Sequence, residues 1–252
     1  MVMTMIPFAF PGLPGVGAAF CGAVAGGGGG ESPGAFGAGN ISFSVGDDPA
    51  SVLANRMDLR QRLGFSTWHT LRQVHGPTMV FEPEAADMSA PSSVEGDGLG
   101  TALPGKAMIV KTADCQPILL AHSSGEYVAA LHVGWRGNVL GFPTSGVRGF
   151  CSHYGIRPQD VLAVRGPSLG PSAAQFTNFA KEFGSRFERF FDSRTRTVDL
   201  WRLTRFQLQE AGILDRNIFG VDLCTYSLET FFSYRRNNVT GRQASLIWIR
   251  ES

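Results

Sequence analysis

Residues 107–137 read AMIVKTADCQPILLAHSSGEYVAALHVGWRG. Three apolar runs stand out in this stretch: Ala107 to Val110, Pro117 to Ala121 and Tyr127 to Leu131, separated by polar or glycine-bearing segments. Runs of four or five residues with such boundaries are strands of a buried sheet, and their closeness in the chain predicts that they lie side by side. Downstream, Asn138 to Tyr154 is a helix with Pro143 near its start and Gly155 past its end, and Val161 to Val164 is another strand. Upstream, Asp47-Asp48-Pro49 supplies an N-cap acid and a first-turn proline. Val52, Leu53, Met57, Leu59 and Leu63 then form an apolar face, and Gly64 ends the helix. Phe176, Phe179, Ala180, Phe183, Phe187 and Phe190 fall close to a helical stripe. Asp199 caps a second helix running through Leu203, Phe206 and Leu208 to Ala211 and stopping at Gly212. Strands near Val221 and from Leu246 to Ile249 close the chain. Strand and helix alternate with no linker, which predicts an α/β (α+β) fold in a single domain over residues 1–252.

Composition sets the outer limits. The chain has 252 residues, 43% of them hydrophobic and 17% charged, enough for a well-buried core. Lys and Arg number 22 against 21 Asp and Glu, so no whole-protein field draws in a nucleic acid or an anionic membrane. Residues 1–39 are Gly/Pro-rich and include five consecutive glycines, Gly26 to Gly30. No Lys or Arg precedes Arg56, and Pro7, Pro11 and Pro14 interrupt the apolar stretch. The segment is therefore read as part of the mature domain and the protein as cytoplasmic. Cys21, Cys115, Cys151 and Cys224 form no C-x-x-C pair and are expected to be reduced thiols.

The residues with chemistry to offer lie in the middle of the chain. His75, Cys115 and His132 each sit at the edge of an apolar run beside turn-forming residues, forty and seventeen positions apart. That spacing is too long for a zinc finger. It suits three ligands gathered from strand ends, leaving a fourth position open to hold a water or polarise a substrate atom. A rival chemistry fits Cys115 as well, a thiolate nucleophile with His75 or His132 as its base. Residue chemistry alone leaves both open.

The strings Q-V-H-G (73–76), E-G-D-G-L (95–99), T-A-D-C-Q-P-I-L-L (112–120), A-L-H-V-G-W-R-G (130–137), R-G-P-S-L-G-P (165–171), D-L-C-T (222–225) and T-F-F-S-Y-R-R-N-N-V-T-G-R (230–242) occur in an order and spacing that strongly resembles the YfiH family. That family is also called the laccase-domain or multicopper polyphenol oxidase-like family and includes purine nucleoside phosphorylases. The resemblance runs from about Asn40 to Ile249. It implies a four-layer α/β/β/α arrangement with mixed sheets, and one zinc ion per chain held by His75, Cys115 and His132, with copper as the alternative metal. The implied activity is phosphorolysis of adenosine, inosine and methylthioadenosine and deamination of adenosine. A peptidoglycan-precursor-editing amidase using the same site is the alternative, and a non-catalytic metal- or partner-binding protein the second. Copper laccase chemistry needs many imidazoles for several coppers, and five His in the whole chain do not supply them.

Within that reading Asp114 is a proton carrier or an orienter of a ligand imidazole, and Arg136 is the first candidate to hold phosphate. Arg235, Arg236 and Arg242 form a further cationic group, and Asn40 and Asp97 match family positions near the site. Trp135 and Tyr234 are candidates to stack on a purine. Cys224 is read as a strand residue or pocket wall, and Cys151 with His153 as helix residues. R-G-P-S-L-G-P lacks the lysine of a P-loop. The chain departs from the family's T-T-R-x-G-G-x-S string, having Ala23-Val24-Ala25 and then glycines, with no arginine there. The partners expected are a purine nucleoside and phosphate, with no nucleic acid and no membrane.

Overall fold

A computed structural model describes residues 3–23, 36 and 39–251. The glycine run Gly26 to Gly30 and the departure from the family's arginine string fall outside the described residues, apart from Ala23. In chain order the strands are β1 Met5–Pro7, β2 Val16–Cys21, β3 Thr67–His69, β4 Met79–Phe81, β5 Gly98–Thr101, β6 Lys106–Thr112, β7 Gln116–His122, β8 Val128–Val133, β9 Val161–Arg165, β10 Phe191–Asp192, β11 Thr197–Val198, β12 Ile218–Gly220 and β13 Gln243–Ile249. The α-helices are α1 Pro49–Leu63, α2 Trp135–Val139, α3 Phe142–Tyr154, α4 Phe179–Glu182 and α5 Leu200–Glu210.

The strands form two mixed sheets, one ordered β1-β2-β13-β6-β3 and the other β12-β9-β7-β8-β5-β4, besides the small β10-β11 pair. Alternation along β6 explains how they stack. Met108 and Val110 pack between the sheets with Phe20, Leu119, Ala130, Val164 and Ile247. Ala107 and Ile109 point the other way, onto Leu59 of α1. On the far side of the second sheet, Ile118, Leu120, Ala129 and Leu131 meet Phe142, Val147 and Phe150 of α3 and Leu208 of α5. Both faces of both sheets are thus covered, giving the order α1, sheet, sheet, α3 with α5. Strands buried on two faces read as continuous apolar runs, which is what residues 107–137 contain. Each Leu, Ile or Phe fully buried in these layers contributes roughly 1.5–3 kcal/mol. The fold is a mixed α/β single domain.

Several expectations need correction. Ala107 to Val110 belongs to β6, in the first sheet beside β13 and β3, whereas β7 and β8 pair antiparallel in the second; the first of the three runs is stacked on the other two, not beside them. Asn138 to Tyr154 is not one helix, because Gly141 takes a left-handed conformation (φ 72°) between α2 and α3. The Phe176-to-Phe190 stripe is not one helix either: Gly184, at φ 76°, separates α4 from a 3₁₀ turn at Ser185–Phe190, and the phenylalanines instead form a cluster with Leu200 and Leu203. The strand expected near Val221 ends at Gly220. In α1 the caps are as read, with Asp48 accepting from Ser51 N and Gly64 left-handed, but Met57 is exposed and Arg56 takes the buried position next to it.

Candidate metal centre and its cavity

Strand register assembles the site. Gln116 pairs with Val133 and Pro117 with His132, so Cys115, just before β7, lies at the open end of the hairpin beside Gly134. Gly98 pairs with Leu131, which sets Asp97 against His132, and the His132 N–H donates to the Asp97 carbonyl at 2.7 Å. The Asp97 and Gly98 N–H groups donate to Thr78 O at 3.0 and 3.1 Å, which fixes the turn carrying His75.

Asp97 is the hub. Its carboxylate is fully buried and accepts from His132 Nδ1 at 2.7 Å and from the backbone N–H groups of Val74 (3.1 Å), His75 (3.0 Å) and Gly76 (2.7 Å). Burial pushes its pKa up, but the hydrogen bonds from His132 and the backbone outweigh burial and hold it below the usual carboxylate range. Because Nδ1 of His132 is committed to Asp97, its Nε2 is the nitrogen left to bind a metal. His75 sits at φ 61° and Asp114 at φ 85°, unusual for residues with a Cβ, so both flanking turns are held in sparsely populated conformations.

The donor atoms of His75, Cys115 and His132 lie within 4.8 Å of one another, with His75 Nε2 3.8 Å from Cys115 Sγ. Ligand atoms around a tetrahedral zinc are roughly 3.5 Å apart. Two imidazoles and a thiolate therefore fit a single soft or borderline ion in chemistry and in span. Gly134 makes room for them, since a Cβ there would come within 2.9 Å of His75 Cδ2 and 3.0 Å of Cys115 Sγ. Burial raises the Cys115 thiol, but the adjoining His132 and His75 outweigh it and bring the thiol down, toward the thiolate a metal needs. Burial lowers His132, while Cys115 and Asp97 outweigh it and raise it.

These residues open into a cavity of about 620 Å³. Arg56, Arg72, Lys111, Arg136, Arg235 and Arg242 line it, against Asp114 as the one lining carboxylate among the described residues. Trp135 and Tyr234 also face it. Arg136 lies over the Trp135 ring at 4.4 Å. Asp114 spends both carboxylate oxygens on loops, accepting from Thr225 Oγ1 at 2.7 Å and Arg235 N at 2.6 Å. Arg236 does not line the cavity. Its guanidinium donates to the carbonyls of Thr225 (2.7 Å) and Tyr226 (2.9 Å) and fastens the loop. Asn40 is fully buried below the cavity wall, its Oδ1 accepting from Arg242 N at 2.9 Å. Cys224 lies outside the large sheets, its Sγ accepting from Gly170 N at 3.2 Å; His153 stacks on Phe81. Gln73, Gln116, Arg56 and Lys111 were not among the expected lining residues. A lysine and a glutamine at the ends of otherwise apolar strands were the available signal.

Fold and site together define a class: a mixed two-sheet α/β protein whose His–Cys–His centre opens into a cationic cavity. Residues 23–250 match the family model described as multi-copper polyphenol oxidoreductase laccase, and the chain belongs to that family. It is 36% identical over 234 residues, 88% of this chain and 90% of the other, to a purine nucleoside phosphorylase of Pseudomonas aeruginosa. It is 35% identical over 225 residues (83% and 86%) to the purine nucleoside phosphorylase YfiH of Escherichia coli. Among solved structures, YlmD of Geobacillus stearothermophilus superposes with a TM-score of 0.81 at 28% identity, covering 96% of this chain and 94% of that one. A Neisseria meningitidis protein superposes at 0.83 and 27% identity, covering 98% and 99%.

Proposed function

We propose that this protein is a zinc-dependent purine nucleoside phosphorylase that also deaminates adenosine, with His75, Cys115 and His132 as ligands. The observation carrying this reading is that the three donors share one cavity with six cationic side chains and one carboxylate, and the relatives are named purine nucleoside phosphorylases. Zinc held by His75, Cys115 and His132 would supply Lewis acidity toward the substrate. The chain's own residues do the rest. In phosphorolysis a phosphate oxygen bonds to the sugar C1′, the bond from C1′ to the base nitrogen breaks, and the base leaves with that electron pair and takes up a proton. The lining arginines, Arg136 and Arg242 first among them, hold the phosphate and offset the charge it carries into a half-enclosed site. Trp135 and Tyr234 flank the base. Asp97 holds His132 in one orientation and tautomer, and Asp114 ties the Thr225 and Arg235 loops to the cavity mouth. No described helix is long and apolar enough to cross a membrane.

The test is product analysis with zinc-loaded protein and adenosine, with and without phosphate. Adenine and ribose 1-phosphate formed only with phosphate, together with inosine, support both activities. Failure to form either product counts against the reading and shifts weight to amide hydrolysis at the same centre.

A further inference from the structure

Two cations, Arg56 buried and Lys111 half-buried, line the cavity without a direct ion pair among the described residues. Arg56, on α1, is 1% exposed and lies between the rings of Phe43 (4.4 Å) and Trp68 (5.2 Å). Its guanidinium donates only to carbonyls: Ile41 at 2.9 Å, Met88 and Ala90 at 3.2 Å each, and Asp87 at 3.5 Å. Lys111, on β6, donates from Nζ to Thr70 Oγ1 at 3.1 Å and to the Leu71 carbonyl at 2.8 Å, which leaves one ammonium N–H without an acceptor among the described residues. Gln73 fixes the Lys111 backbone from both sides, accepting from its N–H and donating to its carbonyl at 2.8 Å each.

Neither cation forms an ion pair among the described residues. The nearby carboxylates are occupied. Asp87 accepts from Ser89 N and Oγ, and Asp97 accepts from His132 and three backbone N–H groups. Burial, with repulsion from Arg56, brings Lys111 down to about 7, and burial brings Arg56 down to about 10. Carbonyls satisfy hydrogen bonds but do not neutralise charge, and Asp87 and Asp97 favour these charges only through space, so two like charges drawn out of water lack a contacting counter-ion. The cavity wall beside them adds Ser42, Ser44 and Arg242.

We infer that Arg56 and Lys111 form a preorganised anion subsite that takes the phosphate group of the ligand, with Lys111 supplying the free N–H. The existence of the subsite stands on this geometry; that the anion is orthophosphate rests on the phosphorolytic reading. A phosphate dianion favours the charged form of Lys111 and so matches it and Arg56 in charge, and it presents enough oxygens to meet both, with the serine hydroxyls at its edge.

The experiment is calorimetric titration of metal-loaded wild type, Lys111→Met and Lys111→Arg with orthophosphate and, separately, with a nucleoside 5′-monophosphate, alongside melting temperature and metal content. The expected result is orthophosphate binding weakened at least tenfold in Lys111→Met and largely regained in Lys111→Arg. Metal content should be unchanged, and the melting temperature of Lys111→Met no lower than wild type, since the variant removes a charge without a contacting counter-ion. Phosphate should also raise the melting temperature of wild type more than that of Lys111→Met. Lys111-dependent binding of the monophosphate alone would uphold the subsite and remove the phosphorolytic reading. Equal binding by wild type and Lys111→Met, or binding of neither anion by wild type, overturns the subsite. So does phosphorolysis by Lys111→Met with an unchanged KM for phosphate, which leaves the phosphorylase reading intact.

Discussion

Asp97 Oδ1 lies 2.7 Å from His132 Nδ1, and the same carboxylate closes the His75 turn through three backbone N–H groups. One buried side chain thus orients two of the three proposed ligands. Asp97→Asn is expected to lower metal affinity by about 10–100-fold, the usual effect of losing the group behind a ligating histidine. Asp97→Ala also strands buried donors and is expected to cost about 3–5 kcal/mol of stability. Chelator competition and denaturant unfolding measure the two effects; an affinity equal to wild type in Asp97→Asn would rule out the orienting role.

Gly134→Ala tests the ligand geometry without touching a ligand. The backbone there has φ −78°, which alanine adopts freely, so the strain falls on the His75 and Cys115 side chains, whose atoms lie 2.9 and 3.0 Å from the new Cβ. Metal content and turnover should fall at least tenfold while circular dichroism stays native. Full metal occupancy in this variant would mean that the donors close around the ion some other way.

Arg236 separates loop fastening from ligand binding. Its guanidinium satisfies carbonyls of Thr225, Tyr226 and Phe231 and stays out of the cavity lining. Arg236→Ala should lower stability by about 1–3 kcal/mol, because half-buried loop carbonyls lose their donor, with KM for phosphate within about twofold of wild type. Arg136→Ala, by contrast, should raise that KM and leave the melting temperature within a degree or so, since its side chain is exposed at the start of α2, over the Trp135 ring.

Lys111 also predicts a pH dependence in phosphate-free buffer. The group titrates at about 7 in the folded protein and near 10.4 in the unfolded chain. Between those values the unfolded state binds the extra proton, so stability contributed by Lys111 rises with pH through this window and is lost as pH falls through about 7. Arg56 from α1 opposes its charge and Asp97 at the head of β5 favours it. Relative to Lys111→Met, wild type should gain stability from pH 7 to 9, by at most about 1.4 kcal/mol per pH unit. A gap that stays constant with pH would show that Lys111 is not desolvated.

How much was legible in advance follows from where each signal resides. The α1 caps are local, Asp48 before Pro49 and Gly64 after Leu63, and they read correctly. The breaks at Gly141 and Gly184 were hidden because apolar spacing continues across them, and a glycine in a helical pattern does not declare its φ. Strands β4 and β5 are short, and the latter has two glycines, so they carry little apolar pattern; yet they bring Asp97 to His132. His75, Cys115 and His132 were singled out by the strings Q-V-H-G, T-A-D-C and A-L-H-V-G-W-R-G, while spacing and residue chemistry alone left a metal site and a bare thiolate both open. Asp97 and Asn40 entered as neighbours of the ligand and the cavity, and only the folded arrangement reveals that they act through other residues. The Arg56–Lys111 pair was not legible at all. Fifty-five positions separate them, and both are drawn together by the packing of α1 on the first sheet.

The most direct measurement is metal stoichiometry by elemental analysis on wild type, His75→Ala, Cys115→Ala and His132→Ala, with melting temperatures taken on the same samples. The account predicts one zinc per chain in wild type and much less than one in each variant, with the fold retained because the two-sheet core does not depend on the ion. Undiminished metal in all three variants, or no metal in wild type supplied with zinc, would contradict it and return Cys115 to the role of a bare thiolate beside two imidazoles.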